Sequence, residues 1–231
     1  MQHAIAHGPS FAWLTVDLEP GETVTAEAGA MVTVDPTVDM KTRLNSPTKA
    51  GFFGKIVAFF VAIIRKVIGG ETMFINDFTA DGSGGQLRLA PALAGYIVHR
   101  RLENERLLLT AGSYLASGSG LSMRLRFGGL KALLSREGAF FVEISGTGDL
   151  WMNAYGGITE VPIDGSFIVD NGHIVAFDAG LDFSIKNAGS GLMGFVASGE
   201  GLVCEFQGKG TLWLQSRNTS ALVGWISRLL P

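Results

Sequence analysis

The order of apolar and polar residues along the chain predicts mostly short β-strands. Phe140, Val142 and Ile144 alternate with Phe141 and Glu143, which is the period-two pattern of a half-buried strand. Gly-x-Gly steps interrupt such segments and predict hairpin turns, because glycine adopts the positive φ angles that tight turns need. With 32 glycines and seven prolines, the chain is therefore expected to be an all-β protein of many short strands.

The strand pattern returns three times, which predicts an internal repeat. The segments TAEAGAMVTVDPTVDM, LLTAGSYLASGSGLSM and IVDNGHIVAFDAGLDF align without a gap and superpose Gly29, Gly112 and Gly172. A second element follows each of them and superposes Glu71, Glu137 and Glu200. A repeat of this kind indicates one supersecondary unit used several times. We expect a single domain over residues 1–217 around a pseudo-threefold axis, with repeats at about 5–89, 91–152 and 156–214.

One apolar run breaks the strand pattern and predicts a helix inserted in the first repeat, at residues 51–68. Residues 56–64 are nine consecutive apolar residues between Lys55 and Arg65. A membrane-spanning helix needs about 20 such residues, so this run is too short to span as a simple helix. In a helical projection a broad apolar face lies opposite Lys55, Arg65 and Lys66. The apolar face comprises Phe52, Ile56, Phe59, Phe60, Ile63, Ile64 and Val67.

This apolar face is expected to be covered, and three surfaces could cover it. The protein's own sheet can cover part of it, but the arc is wider than the usual core-facing stripe of a helix. A second copy of the chain is the simplest further cover, since symmetry presents the same patch twice. A narrow basic face under a broad apolar one is also typical of a helix lying on an anionic membrane. We expect a homo-oligomer that buries Phe59, Phe60 and Ile63, with the anionic membrane surface as the alternative.

A second amphipathic helix is predicted at the carboxyl end, over residues 218–231. Its apolar positions follow the spacing i, i+3, i+4 and i+7 of one helical face: Leu222, Trp225, Ile226 and Leu229. Asn218, Thr219 and Ser220 precede them and are preferred residues at a helix start. We expect this face to pack on the sheet or across a subunit interface.

Composition and charge narrow the functional classes. The formal net charge is −3, so no excess of basic residues exists to neutralise phosphates, and a nucleic-acid partner is not expected. Cys204 is the single cysteine, which excludes an intramolecular disulfide and is expected to be a buried strand residue. The first residues lack the basic and apolar pattern of a signal peptide. We expect a cytoplasmic protein, with peripheral contact at the inner membrane as the alternative.

The chemistry-bearing residues do not form a recognisable catalytic or metal motif. The four histidines are His3, His7, His99 and His173, and none forms a His-x-His pair. A cupin-like metal site is therefore not expected, nor is any cofactor. His173 follows Asn171 and Gly172, a pair typical of a hairpin turn, where its ring is expected to bond to a backbone carbonyl. Ser135 and Ser198 precede repeated glutamates without a matching histidine, so no catalytic residue is predicted.

With these motifs in hand, the chain resembles bacterial relatives of the altered-inheritance-of-mitochondria family. The resemblance runs to about Arg217 and rests on GPSFAWLTVDLEPGETVTAEAGAMVTVD, FFGKIVAFF, GGETMFINDFTADGSGG, LAPALAGYIV, VDNGHIVAFD and SGEGLVCEFQGKGTLWLQSR. It implies a TRAP-like fold, a β-sandwich of double-stranded β-helix type built from repeats. It supplies no catalytic residues, and the family's eukaryotic members are associated with mitochondrial inner-membrane organisation. The apolar helix and the tail beyond Arg217 depart from the family pattern.

Together these observations predict a self-associating scaffold or binding module rather than an enzyme. Two other classes stay open at this stage. One is a cupin-like enzyme with an unrecognised site. The other is an RNA-binding protein, which rests on fold analogy and on the basic clusters His99-Arg100-Arg101 and Arg124-Leu125-Arg126.

Overall fold

A computed structural model describes residues 1–44, 74–110, 112–127, 140–187 and 202–229. These residues form fifteen strands and one α-helix, which confirms the expectation of a nearly all-β protein. The strands are β1 Gln2–Ala6, β2 Trp13–Leu18, β3 Thr23–Glu27, β4 Met31–Val34, β5 Val38–Leu44, β6 Phe74–Ala80, β7 Gly85–Leu89, β8 Ile97–Thr110, β9 Tyr114–Gly118, β10 Leu121–Phe127, β11 Phe140–Asn153, β12 Ile158–Asp170, β13 Ile174–Asp178, β14 Asp182–Asn187 and β15 Leu202–Gln215. The helix α1 is Thr219–Ser227.

The strands form two antiparallel sheets in a sandwich-like arrangement. A four-stranded sheet has the order β1-β2-β7-β4. An eleven-stranded sheet follows the path β12-β15-β13-β8-β11-β9-β3-β6-β5, with β10 and β14 paired to β11 and β15 beside that path. The segment predicted to be an inserted helix, residues 51–68, and the repeated glutamates Glu71, Glu137 and Glu200 lie outside the described residues.

Long antiparallel pairs form the frame of the large sheet. β8 pairs with β11 over nearly its whole length, and β12 pairs with β15 from Ile158↔Gln215 to Asp170↔Val203. Near the amino terminus the corresponding pairings are divided between two shorter sets, β2 with β7 and β3 with β6. Three short strands, β4, β9 and β13, then pair with β7, β11 and β15 respectively. The described part of the chain is thus dominated by contacts between distant segments.

Three clusters of buried side chains form the core, and each contains residues from more than one of these strand pairs. The first gathers Leu14 and Phe78 with Trp151, which comes from the later strand β11. The second joins Leu107 and Ile144 to Trp213 of β15. The third is rich in phenylalanine and contains Phe141, Phe177 and Phe206. Each cluster contains residues from strands far apart in sequence, so core packing holds these strand pairs together.

Two of the three Gly-x-Gly steps lie inside long strands. The hairpin turns predicted at these two steps are therefore wrong. Gly146 and Gly148 belong to β11, and Gly208 and Gly210 belong to β15. Gly146 has φ 127° and Gly208 has φ 119°, and the pairing of β11 with β8 shifts register at Gly146. Positive φ at one residue bends a strand without reversing it, which is how a β-bulge acts. These glycines therefore bend continuous strands rather than turn the chain.

Two further sequence expectations are corrected in the same region. The segment Phe141 to Ile144 is buried on both faces, with Glu143 only 6% exposed, because Glu143 pairs with Arg126 at 2.9 Å while its neighbours enter the core. The predicted hairpin at Asn171-Gly172 is a 3-10 turn, Asn171–His173. The Asp170 carboxylate accepts the Gly172 N–H at 3.1 Å and so closes the turn locally.

Candidate interaction site

The carboxyl-terminal helix forms where the sequence predicts it. The Asn218 side chain accepts the backbone N–H of Ala221 at 3.1 Å, so Asn218 is the N-cap. A side-chain acceptor at this position satisfies one of the free N–H groups of the first turn. This confirms the predicted start of the helix, and the last helical residue is Ser227.

The apolar face of α1 is only partly covered by the rest of the described chain. Leu222 is half-buried, whereas Trp225 is 61% exposed and Leu229 is 66% exposed. Ile226 and Val223 are exposed as well. Packing on the sheet therefore explains one of the four predicted contact residues, and the other three remain available to a partner.

A shallow cleft of about 350 Å³ lies between α1 and strand ends of the eleven-stranded sheet. Its lining is Tyr155, His173, Ser216, Arg217, Asn218, Ala221, Leu222 and Trp225. The His173 ring donates through Nδ1 to the carbonyl oxygen of Gln215 at 2.7 Å, which confirms the predicted bond to a backbone carbonyl. The cleft thus combines an apolar wall from the helix with polar groups that are held by the backbone.

The other predicted contact residues lie outside the described residues. They are Phe52, Ile56, Phe59, Phe60, Ile63 and Val67. The contact that the sequence predicts for them therefore stays a prediction. The α-helix that the structure does describe, α1, does not have the length and apolar character that crossing a membrane requires.

Sequence reasoning missed a second group of exposed apolar residues, at two strand edges. In β4, Met31 and Val32 are 40% and 44% exposed. In β12, Phe167 and Ile168 are 36% and 62% exposed. Among the described strands, β4 pairs with β7 alone and β12 pairs with β15 alone, so each leaves one edge open. Alternation of apolar residues does not reveal this, because it reports which face is buried and not which edge is paired.

The structure also brings together histidines that seemed scattered in the sequence. The His3 and His99 rings lie 4.1 Å apart between centroids, and both lie beside the indole of Trp151. His99 Nε2 is 2.9 Å from Asp149 Oδ1, and Arg101 donates to the other carboxylate oxygen at 2.9 Å. Within the described ranges, no three His, Cys, Asp or Glu side chains are placed to hold a metal ion. The cluster instead attaches β1 to β8 and β11.

Burial makes this cluster sensitive to pH. Burial is the main cause that lowers the pKa of His3, and the neighbouring His99 and the terminal amino group act in the same direction, while Asp149 opposes them. The folded state therefore binds fewer protons here than the unfolded state. Stability from this group is present above about pH 6.5 and is lost as the pH falls through the lower folded value.

We expect the free energy of unfolding to decline between about pH 7 and pH 5, and to decline less in a His3→Gln variant. Urea unfolding at several pH values measures the effect. The matched control is His7→Gln, since His7 is exposed. A hydrogen bond from Lys186 holds the pKa of Glu205 below its usual 4.5, so protonation of that carboxylate affects stability only below the pH range of this experiment. An equal slope in wild type and His3→Gln would contradict the assignment.

Three of the four arginines that suggested an RNA surface, Arg100, Arg101 and Arg126, have acidic partners. Arg100 donates to Glu105 at 2.7 Å, and its guanidinium lies 4.8 Å from the Trp213 ring centre. Arg126 forms two hydrogen bonds with Glu143. A guanidinium held by a carboxylate has little charge left for a phosphate, so these residues support strand pairing.

Comparisons with known proteins give the same picture over nearly the whole chain. The family model described as "Mitochondrial biogenesis AIM24" matches residues 3–217. An uncharacterised protein of Streptococcus pyogenes serotype M6 is 34% identical over 234 residues, covering 100% of this chain and 92% of that protein. A crystal structure of a Streptococcus pyogenes protein superposes with a TM-score of 0.79 at 31% identity, covering 99% of both chains. The chain therefore belongs to the AIM24 family.

Proposed function

We propose that this AIM24-family chain is a non-enzymatic module that associates with copies of itself and is built from three related β units. The units are residues 5–89, 91–152 and 156–214, and α1 follows them. The observation that carries self-association is the exposed apolar surface of α1, where Trp225 and Leu229 remain mostly in contact with solvent. Exposed apolar surface of this kind is usually covered by a partner.

Matching hydrogen bonds support the three-unit architecture. Asn153 donates from its amide to the Gly112 carbonyl at 2.8 Å, and Gln215 donates in the same way to the Gly172 carbonyl at 2.9 Å. The two glycines are those that the sequence alignment superposes. A side-chain amide at the equivalent position therefore bonds to the turn glycine in the second and third units, although the turns differ in backbone conformation.

A second matched contact links the first and third units. Asp35 accepts the backbone N–H of Gln86 at 2.8 Å, and Asp178 accepts that of Thr211 at 2.8 Å. Both aspartates lie six residues after their turn glycine. Gly118 occupies this position in the second unit. Residues that recur at equivalent positions in two of the three units and bond to backbone groups have structural roles, which favours a scaffold over a catalyst.

Purified protein is expected to have a molar mass above the 24.5 kDa of one chain by light scattering. A Trp225→Ser and Leu229→Ser double variant should shift the distribution towards smaller species, because it removes apolar surface from the contact. Thr219→Ala and Ser220→Ala serve as the control on the exposed side of α1. A wild-type monomer over about a hundredfold range of concentration would overturn the proposal.

The membrane alternative is tested with the same preparation. Vesicles containing an anionic lipid are mixed with wild type and with a Phe59→Ser and Phe60→Ser variant. Binding that disappears in the variant while the molar mass stays unchanged would move the predicted helix of residues 51–68 to a membrane surface. We propose a cytoplasmic location in either case, with peripheral attachment to the inner membrane in the second.

A further inference from the structure

We infer that strand β4 of one copy pairs with strand β12 of the next copy, in the register already used twice inside the chain. The inference rests on the proposed self-association and names the surface and the partner, which is a second copy of this chain. It differs from the sequence prediction, which assigned subunit contact to helices.

The two internal junctions define the pairing. At the first, β3 pairs antiparallel with β9 through Val24↔Gly118, Thr25↔Ser117 and Ala26↔Ala116. At the second, β8 pairs antiparallel with β13 through Leu107↔Asp178, Leu108↔Phe177 and Leu109↔Ala176. In both cases the strand before a turn glycine joins the strand that follows the next turn glycine.

The two junctions share one register when it is counted from the glycines. Ala26 lies three residues before Gly29, and its partner Ala116 lies four residues after Gly112. Leu109 and Ala176 hold the same positions relative to Gly112 and Gly172. Each unit therefore has one strand before its turn glycine, here called its donor strand, and one strand after it, here called its acceptor strand. At both junctions the donor strand of one unit pairs with the acceptor strand of the next unit.

The acceptor strands also share an irregularity, which supports their equivalence. The pairing of β4 with β7 shifts between Met31 and Thr33. In β13 the shift lies between Ile174 and Ala176, and in β9 the partners skip from Ala116 to Tyr114. In all three strands the bulge therefore falls two to four residues after the turn glycine. Bulges fix register, so β4 has the backbone of an acceptor strand.

Burial shows what an occupied junction looks like. Every residue of β9 is buried, and so are Ile174 to Phe177 of β13. At the first junction the Tyr114 hydroxyl donates to the Thr25 carbonyl at 2.9 Å and lies 2.8 Å from Ser117 Oγ. By contrast, the first three residues of β4 are exposed, as are five consecutive residues of β12, from Asp164 to Ile168. Among the described residues, β4 is therefore an acceptor strand and β12 a donor strand that each lack a partner from another unit.

Other strand edges in the structure do not carry the same implication. β5, β10 and β14 each pair with one strand, β6, β11 and β15 respectively, in the described part of the chain. These three strands are counterparts in the three units, and each has one open edge. An open edge at this position is therefore common to all three units. β4 and β12 are different, because their counterparts are paired in the other units.

A pairing between copies would be heterologous, since two different surfaces meet. An unpaired edge of thirteen residues, as in β12, is a ready template for another strand. Contacts of this head-to-tail kind close into a ring or continue as a filament, and they do not stop at a symmetric dimer. Counting from the glycines places Val34 of one copy opposite Ile168 of the next.

Cysteine cross-linking tests both the partner and the register. Val34→Cys and Ile168→Cys are made in separate chains, mixed and oxidised mildly. Opposed residues in an antiparallel pair have Cα atoms roughly 4.5 to 5.5 Å apart, within the range of a disulfide. We expect a cross-linked dimer from the mixture. The register control replaces Ile168→Cys with Ser166→Cys, which is also exposed, and should give at least about tenfold less dimer because the diagonal distance is too long.

A charge at the edge provides a second arm that does not depend on cysteine chemistry. Ile168→Lys should reduce the molar mass of the assembly, because a lysine on an edge strand opposes pairing. Phe11→Lys is the matched control, since Phe11 is exposed and lies outside both strands. Circular dichroism of each variant confirms that the fold is retained.

The outcomes separate this inference from the proposed function. Wild type that is monomeric throughout overturns both. An assembly that survives Ile168→Lys and gives no Val34–Ile168 cross-link overturns the edge pairing and leaves self-association in place. A chain carrying both cysteines that forms its disulfide within a monomer would show that the two edges meet in one copy, which also overturns the inference.

Discussion

Replacing Phe206 with alanine is expected to lower the free energy of unfolding by about 3 to 5 kcal/mol. The side chain is completely buried in β15, at the centre of the phenylalanine-rich cluster. Its ring lies 5.0 Å from Phe177 and 6.2 Å from Phe183 between centroids. The truncation removes apolar contacts and leaves a cavity that neighbouring strands cannot fill without moving.

Phe11→Ala is the matched control, because the same substitution is made at a side chain that is 74% exposed. Its effect should stay within about 0.5 kcal/mol. Urea unfolding followed by circular dichroism gives both values from the midpoint and slope of the transition. Equal losses at the two positions would show that the cluster around Phe206 is not a packed core.

Gly95→Ala is expected to cost at least about 3 kcal/mol, although it adds a single methyl group. A Cβ atom at this position would lie 1.7 Å from the carbonyl oxygen of Ala154. Gly95 forms an isolated parallel bridge with Gly156, and its own carbonyl accepts the N–H of Ala12 at 3.1 Å. Since the clashing atom belongs to the backbone, the segment before β8 that contains Gly95 must move away from the segment after β11 that contains Ala154.

Gly180→Ala tests whether the loss comes from the clash or from glycine replacement in general. A Cβ atom there would meet nothing within 4 Å, and the backbone is not in the left-handed region. This variant should unfold at nearly the same urea concentration as wild type, whereas Gly95→Ala should unfold much earlier or fail to fold. A wild-type midpoint for Gly95→Ala would contradict the close backbone approach.

The local features of the fold were largely predictable from sequence. The cap at Asn218 and the helix after it depend on residues close together in the chain. Cys204 was likewise expected in a buried strand, and it is completely buried in β15. Short-range preferences determine such features, so a single sequence contains enough information for them.

The remaining features depend on pairing between distant segments. A Gly-x-Gly step is compatible with a turn or with a bend inside a strand, and the partner strand β8 decides in favour of a bend at Gly146. His3 and His99 meet because β1 joins β2 beside β8, which no spacing in the sequence indicates. The open edges of β4 and β12 likewise emerge only when the other strands are assigned.

The buried hydroxyl of Tyr114 makes the first junction visible to ultraviolet spectroscopy. The chain has three tyrosines, and Tyr96 and Tyr155 are only half-buried. Burial raises the pKa of Tyr114 well above its ordinary value, despite the hydrogen bond with Ser117. The folded state therefore loses stability as the pH rises past about 10, where an unfolded tyrosine ionises. The ultraviolet absorbance of the Tyr114 phenolate on alkaline titration would therefore record the separation of β3 from β9.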